Sequence, residues 1–182
     1  MSKQPQREES TLTALLREKP KRGRPRHAVS RQSVYVALTV EQKELVKQLA
    51  ETLNEGLDRS DIPDMAVMLL AVRLEALRRA VSDRDREMPE GITVLDSLYL
   101  LWDVPLPLPS EASWTSIRLS PQQIIQLGRS QGLLHALFNA NRSEVFSLGL
   151  GLLKLLLESE ALPLADVHTL NDFETKMTMI YL

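Results

Sequence analysis

The groups in this 182-residue chain best equipped for chemistry are its cationic side chains, and they are unevenly placed. Residues 1–30 carry eight Lys/Arg against three Glu, a net +5, whereas the remainder carries 14 against 21, a net −7. A basic arm on an acidic body implies a localised contact with a polyanion, not a generally adhesive surface. The usual catalytic residue types are present but unassembled. His27, His135 and His168 are far apart, and none has a partner at metal-ligand or catalytic spacing. There are no cysteines, which excludes thiolate chemistry and disulfides and fits a reducing compartment. Gly149-Leu-Gly151 lies inside an apolar helical stretch, so packing explains it better than a phosphate-binding loop. The acid pairs Asp58/Asp61 and Asp83/Asp85 read as helix caps and a solvated run. The chain therefore reads as a non-enzyme with no metal and no cofactor.

The densest basic run is Lys19-Pro-Lys-Arg-Gly-Arg-Pro-Arg-His27. Its centre, Arg22, Gly23, Arg24, Pro25 and Arg26, resembles the AT-hook, a short motif that enters the minor groove of A·T-rich DNA. The chemistry is suited to that groove, which is narrow and strongly negative over A·T tracts and attracts arginine. Glycine allows close backbone approach and proline keeps the segment extended. A solvated basic linker or a localisation signal is the competing reading. Residues 1–30 are poor in aromatic and β-branched residues and read as a disordered arm, with a short Leu12, Leu15, Leu16 stripe. No apolar run reaches the roughly 20 residues that span a bilayer. The densest, Val145 to Leu157, contains Lys154 and reads as a buried helix. The polar N-terminus has no signal-peptide character. The expected location is cytoplasmic, on the nucleoid.

Two stretches must position whatever the body does. In Arg31-Gln-Ser-Val-Tyr-Val-Ala-Leu-Thr39, apolar Val34, Val36 and Leu38 alternate with Ser33, Tyr35 and Ala37, the pattern of a half-buried strand. Thr39 with Gln42 then forms a capping box that opens a helix. The pattern returns 81 residues later in Thr115-Ser-Ile-Arg-Leu-Ser120, with Ile117 and Leu119 inward, Ser120 as cap, Pro121 at the first helical position and Gln123 closing the box. A lone strand cannot satisfy its backbone, so the two are natural partners. Helices are predicted from Val40 to about Asn54 and from about Ile62 to Ser82. Further helices are predicted from Pro121 through Phe138, with a break allowed at Gly128 and Gly132, and from Asn141 to Glu158. Residues 83–113 form a linker with a short helix capped by Thr93 or Asp96 and a Pro105–Pro109 spacer. Residues 161–182 end in an apolar segment that docks as helix or strand.

Strand, helix, turn, helix is the order of the ribbon-helix-helix family of DNA-binding proteins, and residues 31–82 and 114–160 each resemble one unit. Arg142-Ser-Glu-Val145 opening an apolar helix resembles that family's second helix. Pro63 after Arg59-Ser-Asp-Ile62 departs from the pattern. The implied fold is mainly α with a small two-stranded antiparallel ribbon, a tandem arrangement pairing within one chain as a pseudo-dimer or between chains as a homodimer. In the family the ribbon enters the major groove and the second helix's N-terminal N–H groups hold a phosphate. Carried onto this sequence, the resemblance implies major-groove residues Arg31, Ser33, Tyr35, Ala37, Trp114, Ser116 and Arg118, with Arg118 as the best base reader. It implies phosphate clamps at Arg59, Ser60, Arg142 and Ser143. Tyr35 and Trp114 are unusual on such a ribbon and suit either thymine methyls and sugars or a protein surface.

The expected function is sequence-specific binding of double-stranded, A·T-rich DNA by a transcriptional regulator. The alternative is an antitoxin- or partition-like assembly module with a DNA-binding basic tail, taking a protein partner through its C-terminal segment. The acidic body and aromatic ribbon favour the second; the arginine hook favours the first. No membrane contact is expected.

Overall fold

Two long helices approach each other closely where Gly149 meets Ala66. The computed structural model describes residues 30–82, 91–108, 110–159 and 166–182. Among these the order is β1 (Gln32–Leu38), α1 (Val40–Glu51), α2 (Ile62–Ser82), α3 (Leu95–Leu101), β2 (Ser113–Leu119), α4 (Pro121–Phe138), α5 (Arg142–Glu158) and α6 (Leu170–Tyr181). The fold is mainly helical with one two-stranded antiparallel sheet, and α3 and α6 lie outside the two strand–helix–helix segments.

The strands form as their alternation predicts. β1 and β2 pair antiparallel within the chain, with Val36 opposite Thr115, Val34 opposite Ile117 and Tyr35 opposite Ser116. Val36, Leu38, Ile117 and Leu119 are buried in the core. Burial on one face fixes the register, because a one-residue slip would turn these four side chains to water. The 81-residue offset between the strands carries Tyr35 onto Ser116, its own partner in the ladder. The approximate local two-fold relating the strands therefore passes through that pair.

The helix starts repeat as well, at an offset of 83. Asn141 caps α5, its side chain accepting from the N–H groups of Ser143 and Glu144, while Glu144 accepts from the Asn141 N–H. Asp58 and Asp61 reproduce this before α2: the Ser60 N–H donates to Asp58, and the Asp58 N–H to Asp61. Yet α5 begins directly after its cap, whereas α2 begins only at Ile62. Pro63 is the reason. It has no N–H to donate to the Arg59 carbonyl, so the first turn lacks a helical bond. The Asp61 N–H bonds to the Asp58 carbonyl instead.

Helix α2 is buried on every side from Ile62 to Leu70, and Val145, Phe146, Leu148, Leu150, Leu152, Leu153 and Leu156 of α5 are buried with it. Such all-round burial requires neighbours on all sides. α2 lies against α4, α5, α6 and the ribbon. Its crossing with α5 brings Gly149 so close that a Cβ there would stand 2.8 Å from the Ala66 carbonyl oxygen. Ala66 and Gly149 also correspond under the 83-residue offset, so corresponding positions of the two helices meet at the crossing.

Several expected details are corrected. α4 continues unbroken through Gly128 and Gly132, where a Cβ would meet nothing. Ser120 makes no side-chain cap bond, and Asp64 in place of Gln123 accepts its N–H. α1 ends at Glu51, short of the expected Asn54. Neither Thr93 nor Asp96 caps α3; Val94 occupies that position without a side-chain bond. Residues 170–181 are a helix, opened by a Thr169–Asp172 capping box and docked on α2 through buried Phe173 and Met177. Arg73 of α2 is stacked between Trp102, 5.3 Å away, and Tyr181, 4.8 Å away, which ties both additional segments to the core.

Replacing Gly149 by Ala should lower stability by about 1–3 kcal/mol, because the crossing helices must separate. Gly128→Ala should raise it by about 0.5–1 kcal/mol, since the site is open and glycine is a poor helix former. Urea denaturation midpoints of the two variants check both signs.

Candidate nucleic-acid interface

The face of the ribbon turned away from the core carries Ser33, Tyr35 and Ala37 from β1 and Trp114, Ser116 and Arg118 from β2. All are exposed except half-buried Ala37. Tyr35 is 64% exposed and Trp114 73%. Arg118 crosses toward the end of β1, donating from Nη2 to the Arg31 carbonyl at 3.2 Å. Six of the seven residues assigned to the major groove thus share one surface.

The seventh, Arg31, does not. Its side chain is 7% exposed and turned inward, donating to the Ser60 hydroxyl and pairing with Asp61 and, at 3.4 Å, with Asp64. Two carboxylates at the start of α2 draw it there, and it joins the beginning of β1 to the beginning of α2. The assignment of Arg31 as a base reader is corrected accordingly. Burial raises the Asp64 carboxyl above its ordinary value of 3.8, against the smaller opposing effects of the Ser120 backbone and Arg31.

The clamps also differ from expectation. The Ser60 N–H is held by Asp58 and the Ser143 N–H by Asn141. The Ser143 hydroxyl accepts from the Ala37 N–H of β1 at 2.8 Å, and the Ser60 hydroxyl is engaged by Arg31 and Asp58. Neither serine presents these groups to a phosphate, and a carboxylate cap at the α2 terminus opposes an anion there. The guanidinium groups remain. Arg59 is exposed; Arg142 is exposed too and donates from Nε to Gln131 at 3.1 Å.

Two clefts flank the ribbon. Beside β2, a cleft of about 290 Å³ is lined by Lys43, Arg59 and Arg118 and by no acidic side chain. Beside β1, a cleft of about 720 Å³ is lined by Tyr35, Trp114, Pro107 and Arg142, with Glu144 among its walls. One edge is cationic and the other largely aromatic and apolar. Lys43 is the cation missed in the sequence. On α1 it is an ordinary polar-face residue, and only strand pairing brings it to β2, where it donates to Ser113.

Arg22, Gly23, Arg24, Pro25 and Arg26 lie outside the described residues. Among the described residues, no group of three or more His, Asp or Glu side chains could hold a metal ion, and no helix is long and apolar enough to cross a membrane. Comparison with known protein families, with curated proteins and with solved structures finds no match.

Arg31→Ala should destabilise the fold by about 3–5 kcal/mol, because it strands buried carboxylates. Asp64 carries a pH signature. Its folded-state pKa is raised, so the stability linked to its protonation is fully present below the ordinary carboxylate value and is lost as pH rises through the raised one. Asp64→Asn keeps an acceptor for the Ser120 N–H without the buried charge. It should flatten that decline, which urea midpoints taken from about pH 4 to 8 would reveal.

Proposed function

We propose that this chain is a sequence-specific, double-stranded-DNA-binding regulator of the tandem ribbon-helix-helix kind, inserting the β1–β2 ribbon into the major groove while its basic arm follows the A·T-rich minor groove. The observation that carries this is the exposed ribbon face with a cationic cleft along one edge. The major groove admits a two-stranded ribbon, and Arg118 is the side chain suited to guanine. Lys43 and Arg59 stand where a phosphate would pass beside β2. Because the two edges differ, the site read by one molecule is asymmetric: one half is held by cations, the other touched by Tyr35, Trp114 and Arg142.

A second reading has one specific observation in its favour. Tyr35 and Trp114 expose large aromatic surface beside an apolar cleft, as a protein-docking surface would, on a body whose net charge is negative. In that reading the arm alone touches DNA.

Fluorescence anisotropy on duplexes selected from a random pool separates the two. Arg118→Ala should cost roughly 1–3 kcal/mol at one base pair and relax preference there. Lys43→Ala and Arg59→Ala should weaken all duplexes alike and each lower the salt slope by about one. Alanine at Arg22, Arg24 and Arg26 should weaken A·T-rich duplexes most. If the ribbon variants change nothing while the arm variant abolishes binding, the docking reading replaces this one.

A further inference from the structure

The two halves of the chain use equivalent glutamines differently. Gln42, at the start of α1, is satisfied at both ends: its Oε1 accepts from the Thr39 N–H at 3.0 Å, and its Nε2 donates to Ser147 of α5 at 2.9 Å. Gln123 holds the same place in α4, 81 residues on. The residue equivalent to Ser147, 83 positions earlier, is Asp64, and its carboxylate takes the Ser120 N–H at 3.0 Å. The capping role is thereby removed from Gln123. Its side chain is 1% exposed and its Oε1 has no hydrogen-bond partner. A buried carbonyl left without a donor is destabilising, so such a group calls for a partner.

Gln123 lies where two clefts meet. One, of about 440 Å³, runs between α2, α4 and α6; the other continues toward Asp64 and Thr169, and both share Met68, Gln123 and Glu174. The first is within the size range of small-molecule sites, and its lining combines an apolar strip with polar and charged side chains. Met68, Val72 and Leu133 supply the wall, and Arg129 and Glu174 stand among the lining charges. Glu75 on the same lining is committed elsewhere, since Arg78 and Arg79 hold its carboxyl down to about 2. α6, which has no counterpart in the other half, contributes Glu174 and Thr178 to this cleft, and Leu182 follows directly after it.

We propose that the α2–α4–α6 groove binds a small zwitterion with an apolar body, of which a free apolar amino acid is the simplest form. The ammonium group donates to Gln123 Oε1 with Glu174 as counter-charge. The carboxylate meets Arg129, and the side chain lies along Met68, Val72 and Leu133. The site is independent of whether the ribbon reads DNA.

The test is isothermal titration of the full chain with L-leucine, L-methionine and L-phenylalanine, using acetate and methylamine as half-ligands. At least one amino acid should bind at millimolar concentration or tighter, and neither half-ligand should match it. Gln123→Leu should weaken binding about tenfold or more and raise the ligand-free Tm, since it removes an unpaired acceptor. Arg129→Ala, at an exposed position that the fold does not need, should weaken binding without moving the ligand-free Tm. Absence of binding by all three amino acids overturns the proposal, as does binding that neither variant weakens. If Gln123→Leu does not fold, the Arg129→Ala titration decides alone.

Discussion

A two-stranded ribbon has almost no stability of its own in water, and everything this molecule exposes on that ribbon depends on how it is held. Alternation supplies part of the answer by burying Val36, Leu38, Ile117 and Leu119 on one face. The rest comes from the beginnings of two helices. The Ser143 hydroxyl of α5 accepts the free-edge N–H of Ala37, and Asp64 of α2 accepts the N–H of Ser120 immediately after β2. Arg31 binds the opening of β1 to the same region of α2. The ribbon is thus fastened along its edge and at its ends by groups from helices that cross at Ala66 and Gly149. Anything that separates those helices would move the exposed face as well.

The parts of this arrangement legible in the sequence were those written in local pattern. Period-two alternation gave both strands, and the repeat gave them to each other. The Asp58–Asp61 and Asn141–Glu144 caps stand out because a cap is a spacing of three residues. The parts that were not legible depend on residues far apart in the chain. Arg31 looks like the last cation of a basic arm until folding brings Asp61 and Asp64, thirty residues away, beside it. Gln123 looks like the closing member of a capping box until Asp64, from another helix, takes the hydrogen bond first. Lys43 looks like a solvated helix position until β2 arrives. Each miss has one cause: a long-range partner displaced the local one the spacing suggested.

The apolar C-terminal segment illustrates the same competition from the other side. Its hydrophobicity required a docking surface, but periodicity in a short run cannot say which. α2 settles the matter because its entire first half is buried on every side, which leaves one face that neither α5 nor α4 covers. Phe173 and Met177 fill it. The Arg73 sandwich between Trp102 and Tyr181 then fixes the far end, using a cation on an otherwise apolar helix.

The two strand–helix–helix segments differ most at positions around the crossing and along the ribbon edges. The crossing keeps small residues, Ala66 and Gly149, and the inward strand positions stay apolar, as Val36 and Ile117 or Leu38 and Leu119 show. Around them, equivalent positions have become chemically unlike. Lys43 corresponds to Ile124 and Arg118 to Ala37, which is why only the β2 edge is cationic. Ser33 corresponds to Trp114, which helps make the other edge aromatic. Ser147 corresponds to Asp64, and that exchange both anchors Arg31 and releases Gln123. A symmetric pair of units from two chains could make none of these changes at one edge without making it at the other. Because both strands and their helices belong to one chain, that constraint is absent: the two edges of the ribbon carry different charge, different apolar surface and different hydrogen-bonding capacity over one common core.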